Sequence, residues 1–189
     1  MYQWHNYGKS TIGARSDVEN VDIERLQRFY RTYYQPDNAT LIVADKFEPQ
    51  RTLAWIADAF GAIPRPKRRL PTLYTLDPVQ DGERSVTVRR VGGVPLAYAM
   101  YHMPPAAHPD FAAVSLLDLV MADEPSGRLH KRLVEPGLGA GVFAFSQALA
   151  DPGFAVYGVQ LAPGQDLEKA REALLDELEN LSRRPVTEE

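Results

Sequence analysis

The chain has no cysteine, only four histidines, no long apolar run and no large excess of either charge. Without cysteine it forms no disulfide and offers no thiolate to a metal, which fits a reducing or an oxidising compartment equally. No stretch approaches the roughly 20 apolar residues a membrane-crossing helix requires. A formal charge of -4 gives no basis for a nucleic-acid or anionic-membrane partner. The Gly-x-Ser-x-Gly elbow of serine hydrolases is missing. Met1-Tyr2-Gln3-Trp4-His5 lacks the basic-then-apolar order of a secretory leader. What is there is ordinary globular material: 189 residues, 44% hydrophobic and 24% charged. That is enough for one large domain, or one domain and part of another.

The first third reads as loop, helix, strand, helix. Residues 1–19 are rich in Gly, Ser, Asn and Arg and carry no hydrophobic period. Asn20 or Asp22 caps a helix to about Tyr34, with Ile23, Leu26, Phe29 or Tyr30, and Tyr33 on one stripe. Pro36 ends it. The β-branched run Thr40 to Ala44 predicts a buried strand, and Glu48-Pro49 opens a helix with Leu53, Ile56, Ala57 and Phe60 on one face. Residues 64–82 hold Pro64, Pro66, Pro71 and Pro78 and the basic run Arg65, Lys67, Arg68 and Arg69; this composition predicts a semi-rigid, solvated linker. The domain boundary is placed there, with 1–63 before it and 83–189 after.

The rest carries an α+β rhythm. Alternation predicts a hairpin of Ser85 to Val91 and Leu96 to Met103 about Gly92-Gly93. Pro109 starts a helix bearing Phe111, Val114, Leu117 and Met121, and Ser126 is placed to cap a shorter one with Leu129 and Leu133. Strands from Val142 to Leu149 and from Phe154 to Leu161 follow, and then a helix capped by Asp166 with Leu167, Ala170, Leu174, Leu178 and Leu181 in line. The order β-β-α-α-β-β-α predicts an antiparallel sheet with helices packed on one face, preceded by a partial α+β domain.

Chemistry-bearing residues are sparse. A catalytic zinc needs about three converging protein ligands. His102 and His108 fall at a strand end and in the next loop, where the simplest reading is a partly solvated pair, and His130 reads as a surface residue between helical cations. Ser126 reads as an N-cap rather than a nucleophile. Glu168, Glu172, Asp176, Glu177 and Glu179 read as a solvated face interleaved with Lys169, Arg171 and Arg183. Phe29, Tyr30, Tyr33 and Tyr34 read as core and interdomain packing rather than a base-stacking platform. No catalytic or metal-ligating residue is assigned, and no binding residue is identified.

The motif series His5-Asn6-Tyr7-Gly8, Ile12-Gly13, Phe29-Tyr30 and Tyr34-Gln35-Pro36-Asp37-Asn38 resembles the end of the catalytic domain of the insulinase/pitrilysin zinc metallopeptidases. Ser126-Gly127-Arg128-Leu129 through Leu133-Val134-Glu135, with the glycine-rich step at Gly139, resembles that family's second domain. Asn6 stands where the family has proline, and Ala44-Asp45-Lys46 where it has a glycine. Those enzymes carry an inverted zinc motif, His-x-x-Glu-His, and no such pentapeptide occurs in this chain.

The resemblance implies a segment of a zinc metalloendopeptidase that begins in one domain and ends in another. It would form chamber wall and interdomain hinge and be inactive alone. Zinc and a peptide substrate would then belong to the parent protein, the partners would be other domains or subunits of the same peptidase, and His5 would orient a loop. A non-catalytic structural homologue or subunit is the second reading, and an unrelated small α+β binding domain the third. The resemblance tilts the compartment to the periplasm over the cytoplasm. An isolated chain is expected to self-associate through the exposed edge of strand 40–44, while 83–182 folds by itself.

Overall fold

The computed structural model describes residues 1–186. The chain divides into two compact units, Tyr2–Asp81 and the residues from Gly82 on. Each has its own architecture.

The first unit contains α1 (Arg15–Glu19), α2 (Ile23–Tyr33) and α3 (Pro49–Phe60). Asp22 starts α2 by accepting from the Glu24 N–H at 2.9 Å. Glu48 caps α3 with both oxygens, to the N–H groups of Gln50 (3.1 Å) and Arg51 (2.6 Å), and Pro49 occupies the first turn, where no N–H is needed. Residues 40–44, expected as a buried strand, form no ladder, and Leu41, Ile42 and Val43 are exposed. A strand needs a neighbour to satisfy its N–H and C=O groups, and the unit supplies none among the described residues.

Residues 64–81 also run without regular structure, yet they are tied into this unit. Arg68 donates to the Thr32 carbonyl through Nε and forks onto Asp37 at 2.6 and 2.9 Å. Asp77 Oδ1 accepts from the N–H groups of Gln3 and Trp4, both at 2.7 Å. The basic run, read from composition as solvated, thus has one member committed to an internal contact.

The second unit is α+β, with β1 (Leu96–Met103), α4 (Phe111–Ala122), β2 (Gly141–Ser146), β3 (Gly153–Gln160) and α5 (Leu167–Glu179). The three strands form one antiparallel sheet in the order β1-β3-β2, with Ala99 opposite Tyr157 and Ala144 opposite the same residue from the other side. Ala97, Met103, Ala155, Tyr157 and Val159 lie on the covered face with Met121 of α4 and Ala170, Leu174 and Leu178 of α5, so the core is between the sheet and the helices. Asp166 caps α5 through the N–H groups of Glu168 and Lys169.

Three local expectations change here. Ser85 to Val91 is exposed and forms no ladder with β1. The segment around Leu129 and Leu133 includes a π-helical turn, His130–Val134. Ser126 does not cap it: its hydroxyl lies 3.3 Å from Asp123 Oδ2. Leu129 and Leu133 are nevertheless fully buried, as their spacing requires.

Candidate functional site

The first unit presents one feature out of keeping with a finished fold. Among the described residues none between 2 and 81 is fully buried. The stripe of α2 points outward: Phe29 is 53% exposed, Tyr30 60% and Tyr34 65%. Ring pairs at i, i+4 run along it, Phe29–Tyr33 at 4.6 Å and Tyr30–Tyr34 at 4.8 Å between centroids. Leu26, Gln27 and Arg31 complete an open hollow with these aromatics. Leu53, Trp55 and Phe60 of α3 are exposed too. The expectation that these aromatics form core is therefore not met within the unit. A striped helix acquires its stability by burying the stripe, and among the described residues this stripe is not buried.

The N-terminal loop is better built. His5 Nδ1 accepts from the Tyr7 N–H at 3.2 Å, and its ring lies 4.2 Å from that of Tyr7 and 5.9 Å from that of Tyr2. Burial, with Tyr7 and Asp77 nearby, pushes the Tyr2 hydroxyl up to about 12. Hydrogen bonds from backbone N–H groups, Trp4 foremost, hold Asp77 below the usual carboxylate range, and the Arg68 guanidinium does the same for Asp37.

In the second unit the polar groups bind the helices down. Glu177, expected on a solvated face, is 5% exposed and lies between two arginines: Arg128 Nη2 is 2.6 Å from Oε1, and Arg184 Nη1 is 3.1 Å from Oε2. Arg184 also reaches Asp176 at 3.0 Å, and Arg128 donates to the Arg184 carbonyl at 2.6 Å. Glu168 and Arg171 do pair on the exposed face, at 2.9 Å. Tyr101 donates to Glu179 at 2.5 Å, and the Asp118 carboxylate acts on the Tyr157 hydroxyl. Burial first, and then these carboxylates, raise both tyrosines well above the ordinary phenol range. One signal for the buried acid was available in the sequence: Glu177 falls three residues after Leu174, within the apolar stripe of α5.

The histidines do not converge. His108 Nδ1 accepts from the Asp110 N–H at 3.2 Å. His102 lies in β1 opposite Phe154. His130, expected at the surface, is largely enclosed, its side chain 16% exposed and its Nδ1 3.6 Å from Glu124 Oε1. No group of three or more His, Cys, Asp or Glu able to hold a metal occurs among the described residues. These donors do not fit a catalytic zinc. No helix among them is long and apolar enough to cross a membrane.

Comparison with known proteins places this geometry. Residues 20–189 match the family model described as the peptidase M16 inactive domain. Zinc protease PqqE of Helicobacter pylori is 26% identical over 191 residues, covering 99% of this chain and 43% of that protein. A protease structure from Helicobacter pylori superposes with a TM-score of 0.91 at 25% identity, over 99% of this chain and 46% of its own. The periplasmic protease PqqL from Escherichia coli shares the fold, with a TM-score of 0.67 at 22% identity over 97% of this chain and 21% of its own. The chain thus spans less than half the length of the curated relatives it matches.

Proposed function

The chain belongs to the peptidase M16 inactive-domain family, and from that premise we propose that it is a non-catalytic segment of a zinc-dependent peptidase. The parent protein hydrolyses peptide bonds and holds its zinc on residues outside this chain. Residues 1–63 are the end of the parent's first domain, 64–82 the connection and 83–189 the first half of its second domain, and together they supply chamber wall and hinge. Family membership removes the unrelated binding domain from consideration.

The observation that carries this reading is the uncovered aromatic stripe of α2, in a chain that accounts for 43% of a zinc protease and 46% of a solved protease. An apolar helix face of this kind needs a partner, and the natural one is the remainder of the same domain. The described histidines and carboxylates hold loops and helices, and no three of them share a metal site. By analogy with the periplasmic PqqL, we place the parent in the periplasm.

Incubating the purified chain with zinc and a quenched peptide tests the claim of inactivity. The expected result is no hydrolysis. Chelator-sensitive cleavage by the purified chain would overturn the reading.

A further inference from the structure

Two contacts of opposite polarity fasten residues 68–77 to the first unit, and they respond differently to acid. At one end Arg68 forks onto Asp37 and also donates to the Thr32 carbonyl in the last turn of α2. Protonating Asp37 weakens the fork, but the cation keeps a carbonyl that does not titrate. At the other end the attachment is a single carboxylate. Asp77 Oδ1 accepts from the N–H groups of Gln3 and Trp4, both at 2.7 Å, and the His5 N–H adds to them. Between these anchors the chain has no regular structure, and Leu73, Tyr74 and Leu76 are exposed.

The geometry at Asp77 suits the ionised form alone. Oδ1 faces two donors, so a proton placed on it would meet two others. Oδ2 is enclosed and has no hydrogen-bond partner among the described residues, so a proton placed there would find no acceptor. Hydrogen bonds to an ionised oxygen are also roughly twice as strong as those to a neutral one. The titratable side chains that act on this carboxylate are Tyr2 and His5 of the N-terminal loop. Tyr2 is uncharged throughout the acid range, and a cationic imidazole on His5 would favour the ionised carboxylate. The carboxylate itself therefore decides whether this end holds.

We propose that Asp77 is an acid-released clasp: while its carboxylate is ionised, residues 69–81 are strapped to the N-terminal loop, and when it takes a proton they come away as far back as Arg68. Release returns to the segment the conformational freedom that strapping removes. Resting on the hinge reading above, the clasp sets where the free connection between the parent's domains begins. Closed, the segment belongs to the first unit and the connection starts at residue 82; open, it starts at residue 69. The proline-rich run is then hinge only in acid.

Nuclear magnetic resonance on the full chain reads the clasp directly. The amide protons of Gln3 and Trp4 should titrate together in one step below the ordinary aspartate pKa of about 4. Across that step the backbone order parameters of residues 70–76 should fall towards the roughly 0.6 of a flexible chain. Asp77→Asn has the shape of the protonated acid, so it should show the flexible values already at neutral pH and no step at Gln3 or Trp4, while β3 and α5 keep their shifts. Asp37→Asn should leave the step in place. A step that persists in Asp77→Asn overturns the proposal, as do order parameters that stay constant across it. Loss of the step in Asp37→Asn also overturns it, because the unit would then be loosening as a whole. None of these readouts depends on peptidase activity, so failure of the clasp would leave the segment assignment standing.

Discussion

The rings of Tyr101 and Tyr157 meet edge-on across β1 and β3, centroids 6.3 Å apart, and each hydroxyl has a carboxylate of a different helix acting on it. Tyr101 donates to Glu179 of α5, and Asp118 of α4 is the carboxylate that acts on Tyr157. Two adjacent strands thus hold the two covering helices through polar tips on apolar bodies.

The two contacts are unequal. Glu179 is exposed and regains water if its donor is lost, whereas Asp118 Oδ1 is buried without a partner. Tyr157→Phe takes a hydroxyl from beside this carboxylate, which already lacks a partner on one oxygen, and should destabilise by about 0.5–1.5 kcal/mol, the net worth of one hydrogen bond. Tyr101→Phe should cost less. Urea unfolding followed by circular dichroism reads both; equal losses would contradict the assignment.

Stability against pH follows from the same pairs. Folded-state values raised above those of the unfolded chain mean that ionisation favours unfolding. The stabilisation is complete below the ordinary tyrosine pKa of about 10 and is lost as pH rises through the raised folded values of Tyr101 and Tyr157. Asp37 behaves in the opposite sense: its lowered value makes its contribution present above the ordinary carboxylate pKa and lost as pH falls through the folded one. An alkaline melt monitored at 295 nm should show phenol ionisation coinciding with loss of the second unit, and Tyr157→Phe should move that transition.

Glu177 is the buried carboxylate of α5, paired with Arg128 and Arg184. Its replacement by alanine leaves the half-buried Arg128 without its carboxylate while the more exposed Arg184 keeps Asp176, so the loss should fall below the about 3–5 kcal/mol of a fully buried pair. The double replacement Arg128→Met with Glu177→Leu should cost less than the two single changes summed. Additive losses in the denaturant midpoints would show that the charges do not act together.

Gly158 has no room for a side chain, because a Cβ there would collide with the ring of Phe143 on the neighbouring strand. Gly158→Ala should destabilise by about 1–3 kcal/mol through overpacking. Adding Phe143→Leu should recover part of that loss, as thermal melts of the single and double variants will show.

Periodicity made much of this legible. The α5 stripe, the Asp22 and Asp166 caps, the two strands that meet in β2 and β3 and the one-faced helix packing all follow from local spacing and turn residues. What was not legible depends on neighbours. Among the described residues Thr40 to Ala44 has strand character and no strand to pair with, and Ser85 to Val91 forms no ladder despite its alternation. Glu177 looked solvated because its burial depends on Arg128, 49 residues earlier in the chain. His130 looked exposed from its basic neighbours, and its enclosure beside Glu124 depends on residues outside that local run. Local sequence reads a residue's own preference, and these residues take their state from distant partners.

Amide hydrogen exchange across the whole chain, with its association state measured in parallel, tests the central claim most directly. Helices of this length are marginal in water without a buried face. The account predicts fast exchange throughout α2 and α3, slow exchange in β3 and α5, and association that weakens when Phe29 and Tyr30 are replaced by serine. A monomer with α2 and α3 as well protected as α5 would contradict it, because the first unit would then be complete without a partner.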